Sequence, residues 1–332
     1  MPPCLPLGLI ERVVAWVTEP PYQPTDALRS PGHGGVRTFA RLPLVLEPEP
    51  VDAVVLGAPF DTATSFRPGA RFGPEGVRSG SVLLRPWHPT LAVDVFAGSS
   101  TADGGDLGVV PGNAEATAAR LAEDLEGWLD AGATPVVVGG DHSILLGELR
   151  AHAARHGPLP VLLIDAHVDT RREYCGERLS GGTVIRRAVE EELVDPEHSL
   201  LAGVRGPLYA EADLEAARGL GFDLITGDEL RAMGAGEYSE RVLSRTVGAP
   251  CFLSFDIDVI DPAFAPGTGT PEVAGLLPHE ALTLLRSLVG TPFVGFDLVE
   301  VAPPYDGPGQ TTSMLAANIV WEMLALRVVS GQ

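Results

Sequence analysis

Three stretches of the chain place metal-binding residue types directly after an apolar run. They are VVVGGDHS with Asp141 and His142, LLIDAHVD with Asp165, His167 and Asp169, and LSFDIDVID with Asp256, Asp258 and Asp261. Side chains two positions apart on an extended strand point to the same face. The spacing therefore predicts that Asp165, His167 and Asp169 converge, and that Asp256 and Asp258 do so too.

Carboxylates gathered in this way need a compensating charge. Packing several of them in a protein interior costs on the order of several kcal/mol through repulsion and lost hydration, and a divalent cation offsets that cost. Oxygen ligands with a minority of imidazoles suit Mn²⁺, and none of the cysteines lies in the three stretches. Four acids and two imidazoles exceed the needs of one ion. The residues predict two Mn²⁺ per chain, bridging carboxylates, and a hydroxide nucleophile held between the ions.

Short apolar runs, each about one helix apart, supply the elements that position these residues. The runs are AVVLGA (53–58), TPVVVGGD (134–141), PVLLIDAH (160–167), SLLAGVRG (199–206), FDLIT (222–226), CFLSFDID (251–258) and FVGFDLVEV (293–301). They are too short and too continuously apolar for amphipathic helices. Such runs are typical of strands that are buried on both faces.

Segments between these runs have helical periodicity. In 113–132, Asn113 is a candidate N-cap, and apolar residues fall on one face of a helix. Those residues are Ala118, Leu121, Leu125, Trp128 and Leu129. Segments 276–288 and 313–329 have a similar pattern. Alternating strands and helices predict an α/β fold with a parallel sheet covered by helices on both faces. Ligands of such sheets bind outside the carboxyl ends of the strands, which is where the acids occur.

Bulk composition limits the classes of partner. With 332 residues, of which 45% are hydrophobic, the chain can bury a large core, and the absence of a long linker favours one large domain. A formal charge of −21 argues against nucleic acid and anionic membranes as partners. No run approaches the ~18 uninterrupted apolar residues of a membrane span.

The cysteines and the first residues bear on the compartment. Cys4, Cys175 and Cys251 form no CxxC pair, and their odd number is a poor disulfide framework. The first 24 residues open without a positive region and carry Glu11 and Arg12 too early for a signal peptide. We expect a reducing, cytoplasmic compartment.

The blocks GGDHS, DAHVDT and SFDIDVIDPAFAPGTGTPE resemble the three signature blocks of the ureohydrolases, the arginase and agmatinase family. GAPFDTATSFRPGARFGPEGVR (57–78) and GFDLVEVAPPYD (295–306) are similar to two further blocks, closest to agmatinases and guanidino-acid amidinohydrolases. The resemblance implies a three-layer α/β/α sandwich with a mainly parallel central sheet, the arginase and deacetylase fold. It also implies a homo-oligomer, a trimer or a hexamer. We expect a catalytic domain at 37–332, preceded by an extension at 1–36 that covers the cleft or contacts another subunit.

The resemblance implies a binuclear manganese site that hydrolyses a guanidinium to urea and an amine. His142 and Asp169 would bind one ion, and His167 and Asp258 the other. Asp165 and Asp256 would bridge the ions as catalytic ligands.

The resemblance also assigns roles around the metal ions. Glu300 would be the catalytic carboxylate that pairs with the guanidinium of the substrate, a pairing that suits bidentate geometry. Asp141 and Asp261 would either support the ligands, because metal-bound imidazoles generally need an outer partner, or have a structural role. Segment 265–272, APGTGTPE, is expected to be a tight turn that requires positive φ, with a direct substrate role as the alternative.

One position departs from the family. Gly181, in SGGTVIRR, stands where the family holds a histidine that donates a proton to the leaving amine. Gly181 and Tyr174 are candidate substrate contacts, and Tyr174, Cys175, Glu177 and Arg178 are candidate replacement donors.

Three alternatives to a guanidino hydrolase stay open at this point. Formimidoylglutamases resemble this chain in having Ser-Gly-Thr at the position of Gly181, which makes another amidine substrate possible. A catalytically weak, metal-binding subunit is a second alternative. A zinc deacetylase of the same fold is disfavoured, because a one-metal site needs fewer than six ligands.

Overall fold

Eight parallel strands form one sheet in the computed structural model, which describes residues 21–331. The strands are β1 (Ala53–Ala58), β4 (Thr101–Asp106), β5 (Thr134–Gly139), β6 (Val161–Ile164), β7 (Leu200–Val204), β8 (Asp223–Thr226), β9 (Cys251–Asp256) and β10 (Phe293–Val299). Their order across the sheet is β4-β1-β5-β10-β9-β6-β7-β8. A separate antiparallel pair joins β2 (Trp87–His88) to β3 (Val93–Asp94).

Helices cover both faces of the sheet. They are α1 (Gly73–Gly80), α2 (Ala114–Asp130), α3 (Leu145–His156), α4 (Val184–Glu190), α5 (Ala212–Gly219), α6 (Gly227–Thr246), α7 (Pro278–Arg286) and α8 (Thr311–Val329). Alternate strand residues enter different cores. Val55 and Leu253 pack with α6, α7 and α8, whereas Val54 and Leu163 face the side that carries α2 and α3. The predicted three-layer α/β/α sandwich is confirmed.

All seven predicted apolar runs contain a strand, and the predicted metal ligands lie at or after the ends of these strands. The helix predicted at 113–132 is α2, and the side chain of Asn113 accepts the backbone N–H of Ala116 at 2.9 Å. Its five apolar positions are buried. Edge strand β4 escaped prediction because its sequence, TADGGD, lacks an apolar run.

Helix α8 is long and apolar enough, by length and composition, to cross a membrane. Most of it is buried inside the protein, so packing against the sheet accounts for its hydropathy. It also carries Glu322, which is buried and paired with His88 and Arg286.

Part of the predicted extension lies within the described residues. The side-chain amide of Gln23 donates to the carbonyl of Phe96 at 2.9 Å, and Tyr22 packs against the core beside β1. The rest of the extension, residues 1–20 with Cys4, lies outside the described residues. The role of the extension as a cleft cover or a subunit contact stays a prediction.

Candidate metal centre

The four central strands of the sheet, β5, β10, β9 and β6, deliver the predicted site residues to one edge. His142 follows β5, Asp165, His167 and Asp169 follow β6, Asp256 and Asp258 stand at and after the end of β9, and Glu300 follows β10. Because these strands are adjacent and parallel, their carboxyl ends meet at the same place.

One group of ligands surrounds His142. Its Nδ1 lies 3.1 Å from Asp165 Oδ2, 3.1 Å from Asp169 Oδ2 and 3.4 Å from Asp256 Oδ2. All four side chains are buried. The distances place one imidazole nitrogen and three carboxylate oxygens around one small space.

A second group surrounds His167. Its Nδ1 lies 3.0 Å from Asp258 Oδ2 and 3.4 Å from Asp165 Oδ1. Asp165 therefore directs one carboxylate oxygen to each group, which is the arrangement a bridging ligand needs. Asp256 contacts the first group, and its predicted bridging role stays a prediction.

The donor atoms fit metal ions. Within residues 21–331, Glu300 Oε2 is buried without a hydrogen-bond partner, and the buried atoms His142 Nδ1 and Asp165 Oδ2 lie 3.1 Å apart without forming a hydrogen bond. His142 Nε2 lies 3.0 Å from Ser254 Oγ, which leaves Nδ1 free for an ion. Buried polar atoms without a hydrogen bond destabilise a fold unless a bound ligand supplies the missing contact. Two overlapping groups of oxygen and imidazole ligands fit a binuclear site.

Protons compete for the same atoms. Burial lowers the pKa of His142, but Asp165, Asp169 and Asp256 outweigh it and raise that pKa well above its usual value. Burial likewise lowers the pKa of His167, and Asp258 with Asp165 raises it well above. Metal binding must therefore release protons, since imidazoles bind metal in the neutral form.

Glu300 occupies the floor of the site. Its Oε1 accepts the backbone N–H of His142 at 3.0 Å. Burial, and then the charge of Asp141, raises the pKa of Glu300 to about 8. A cationic group placed against Oε2 would favour the charged carboxylate again. Glu300 and Asp169 have φ values of 62° and 50°, in the left-handed region, and such strain is concentrated at functional sites.

Gly181 and Tyr174 both line the cleft that contains these residues. The volume of the cleft is about 390 Å³. A Cβ atom at Gly181 would lie 3.6 Å from Glu300 Oε1 and 3.6 Å from His142 Cβ. The position is therefore directed at the site, as the resemblance implied. The Tyr174 hydroxyl donates to the carbonyl of Ser65 at 3.4 Å.

The other three candidate proton donors lie elsewhere. Cys175, Glu177 and Arg178 are exposed and face a neighbouring cavity of about 770 Å³. Arg178 is paired with Glu190 at 3.0 Å. Of the four candidates, Tyr174 is the one that lines the metal cleft.

Asp141 and Asp261 bind backbone N–H groups of loops near the site. Asp141 accepts the backbone N–H groups of Ala63 at 2.8 Å and Ser143 at 3.0 Å. Asp261 accepts those of Ala263 at 2.9 Å and Gly275 at 3.1 Å. Both acids thus hold loops around the site, which is a structural role, and no hydrogen bond joins either one to an imidazole within residues 21–331.

Sequence reasoning missed the residues that do support the ligands. Ser254 contacts His142 Nε2, and the Thr270 hydroxyl donates to Asp258 Oδ2 at 3.1 Å. Ser254 could have been found, because it precedes Asp256 by two positions on β9 and so shares its face. Thr270 comes from the glycine-rich loop and carries no such signal.

That loop was predicted to need positive φ, and this is wrong. Neither Gly267 nor Gly269 is in the left-handed region. A Cβ atom at Gly269 would instead lie 3.1 Å from Glu300 Oε2 and 3.2 Å from the Arg67 carbonyl. Glycine at this position leaves room beside the carboxylate, and a side chain would crowd it.

Residues 51–325 match the sequence profile of the arginase family. The chain is 41% identical to proclavaminate amidinohydrolase from Streptomyces clavuligerus, over 90% of this chain and 95% of that protein. It is 38% identical to guanidinobutyrase from Pseudomonas aeruginosa, over 92% and 96%. The solved structure of the Streptomyces clavuligerus enzyme superposes with a TM-score of 0.86 at 40% identity, covering 91% of this chain and all of that one.

Proposed function

The chain belongs to the arginase family, and we propose that it hydrolyses the guanidino group of a small molecule to urea and an amine. It is a hydrolase that acts on carbon–nitrogen bonds of linear amidines. One observation carries the proposal: Glu300, whose Oε2 is buried without a hydrogen-bond partner, lines the same cleft as members of two ligand groups that share Asp165. A planar cation and a metal pair would both find partners there. The named functions of the relatives, a guanidinobutyrase and an amidinohydrolase, support it.

The residues of the chain define how the substrate is held. Glu300 Oε1 is fixed by the backbone of His142, so the carboxylate is oriented before the guanidinium arrives. Its second oxygen completes a bidentate contact with two guanidinium N–H groups. The guanidinium carbon is then presented toward Asp165 and Asp256. Two bound ions would supply there a water of lowered pKa as the nucleophile.

The reaction balances as a hydrolysis. Water adds oxygen to the guanidinium carbon, and the bond from that carbon to the substituted nitrogen breaks. Both water protons end on that nitrogen, so the products are an ammonium ion and neutral urea. The amine needs a proton as it leaves. With Gly181 in place of histidine, Tyr174 is the donor candidate that lines the cleft.

Manganese is the metal that we propose. The ligand groups contain carboxylates and imidazoles and no thiolate, a set that suits Mn²⁺ better than Zn²⁺. Metal counting by mass spectrometry after loading with Mn²⁺ tests this. We expect two ions per chain, and a maximum of one would overturn the binuclear proposal.

A panel of substrates tests the activity. Purified Mn²⁺-loaded protein should release urea from at least one of arginine, agmatine, guanidinoacetate, guanidinopropionate, guanidinobutyrate or a larger guanidine. Formimidoylglutamate is included in the panel, since the formimidoylglutamase alternative predicts formamide from it and no urea from the guanidines. Absence of urea across the whole panel would refute the guanidino hydrolase.

We further propose a cytoplasmic homo-oligomer. The exposed thiol of Cys175 and the buried thiol of Cys251 are free, which supports a reducing compartment. Large exposed apolar side chains, such as Phe72 and Trp87 at 50% and 57% exposure, support a subunit contact. Light scattering of the purified protein tests the assembly, with a trimer or hexamer expected and a monomer contradicting it.

A further inference from the structure

Two arginines line the metal cleft, and they differ in what they contact. Arg205 is committed to the fold. Its guanidinium donates to the carbonyls of Asp258 at 2.7 Å, Glu272 at 2.7 Å and Val273 at 3.1 Å. These bonds hold the loop that follows β9 against the sheet. Arg205 is therefore a structural residue with little capacity left for a ligand.

Arg171 is available for a ligand. Its guanidinium stacks on the Tyr209 ring, with the central carbon 4.5 Å from the ring centroid. Within residues 21–331, no carboxylate lies within ion-pair distance of it. The stacking limits the rotation of the guanidinium. The N–H donors at the edge of the guanidinium plane stay open to a ligand.

Backbone contacts place Arg171 on the same wall as the reaction site. Its N–H donates to the carbonyl of Gly182 at 3.1 Å. The preceding residue, Gly181, is the position whose Cβ would lie 3.6 Å from Glu300 Oε1. Arg171 and Glu300 therefore line one cleft of about 390 Å³, which suits a small molecule.

The acids that line the cleft are engaged elsewhere. Asp213 accepts the backbone N–H groups of Tyr209 at 2.9 Å and Ala210 at 3.3 Å. Glu272 lies 4.0 Å from His167 Nε2. Asp169, Asp256 and Glu300 belong to the metal and guanidinium end. The cleft thus has an anionic inner end and one uncommitted cation.

We infer that Arg171 determines specificity by binding a carboxylate on the substrate's tail, so that the substrate class is a guanidino carboxylic acid. The inference rests on the proposed function, since Glu300 must hold the guanidinium for the tail to reach Arg171. A guanidinium and a carboxylate form two parallel charged hydrogen bonds, which read both charge and direction. A cationic tail such as that of agmatine meets Arg171 with like charge and is disfavoured.

The experiment measures kcat/KM for urea release by the Mn²⁺-loaded enzyme on 4-guanidinobutyrate, its neutral amide and agmatine. The three share a linear guanidinoalkyl tail and differ chiefly in charge at its end. Arg171→Gln removes the cation at a half-buried position, and Arg172→Gln is the matched control, because Arg172 is the exposed neighbour outside this cleft. Guanidinoacetate, 3-guanidinopropionate and 5-guanidinovalerate extend the acid series in length.

We expect wild type to prefer an acid over agmatine and over the amide. Arg171→Gln should lower the acid-to-amide ratio of kcat/KM about 10- to 100-fold, the effect of a hydrogen bond to a charged group. Arg172→Gln should keep the ratio within about twofold, since an exposed charge contributes little.

If Arg171→Gln lowers kcat/KM equally for the acid and the amide, or if wild type prefers agmatine, the role of Arg171 is overturned. Urea release in the same assays would still uphold the proposed function. Absence of urea from every tail would overturn the proposed function, and this inference with it.

Discussion

Replacing Glu300 by glutamine tests the substrate contact most sharply. The amide keeps an acceptor for the backbone N–H of His142, which now donates to Oε1 at 3.0 Å, and removes only the charge. Neutralising one partner of a buried, hydrogen-bonded charge pair costs about 2–5 kcal/mol. We therefore expect kcat/KM for urea release from the preferred substrate to fall by about 30- to 3,000-fold.

Stability separates this effect from misfolding. Because burial raises the folded-state pKa of Glu300 to about 8, the metal-free wild type loses stability as pH rises from the ordinary range of a carboxyl to that value. Gln removes this loss. The melting temperature of metal-free Glu300→Gln should therefore exceed that of wild type by more at pH 9 than at pH 5.

Steady-state urea assays and metal counts on both proteins complete the test. Glu177→Gln is the control, because Glu177 is an exposed acid that faces the neighbouring cavity. It should change kcat/KM by less than about twofold. If Glu300→Gln binds two ions and keeps kcat/KM within threefold of wild type, Glu300 does not hold the guanidinium.

Three further changes have defined outcomes. Asp165→Asn should reduce Mn²⁺ binding to fewer than one ion per chain by mass spectrometry, because both ligand groups use Asp165, and two retained ions would contradict a bridge. A Cβ atom at Gly181 makes only ordinary contacts, and Gly181→His should leave activity within about 100-fold of an active wild type, the lower bound for one general acid. Activity that appears only in the variant would show that the natural chain is a weak metal-binding subunit. Glu148→Gln should raise the melting temperature more at pH 8 than at pH 5, because burial, and then Asp297, raises the pKa of Glu148 well above its usual value, and an equal gain at both pH values would contradict this.

The metal ligands could be predicted from sequence because parallel strands impose a simple geometry. Asp165 and His167 follow β6 and lie 3.4 Å apart, and the adjacency of β6 to β9 brings Asp258 to them. Short apolar runs likewise marked the strands that are buried on both faces. Edge strand β4 lacks that signal, since its polar residues are stabilised by contacts such as the ion pair between Arg78 and Asp103.

The walls of the cleft could not be predicted in this way. The sequence does not distinguish the roles of Arg171 and Arg205. Only the structure shows that the Arg205 guanidinium is already bonded to backbone carbonyls. The role of Gly269 depends on how closely the Glu300 carboxylate approaches, which no local pattern records. Loops position such residues through contacts that are distant in sequence.

Anomalous diffraction at the manganese edge, from crystals grown with Mn²⁺, tests the central claim most directly. We predict two peaks in each chain, one on either side of the Asp165 carboxylate, with His142 Nδ1 bound to one ion and His167 Nδ1 to the other. A single peak, or two peaks that do not share Asp165, would contradict the binuclear centre.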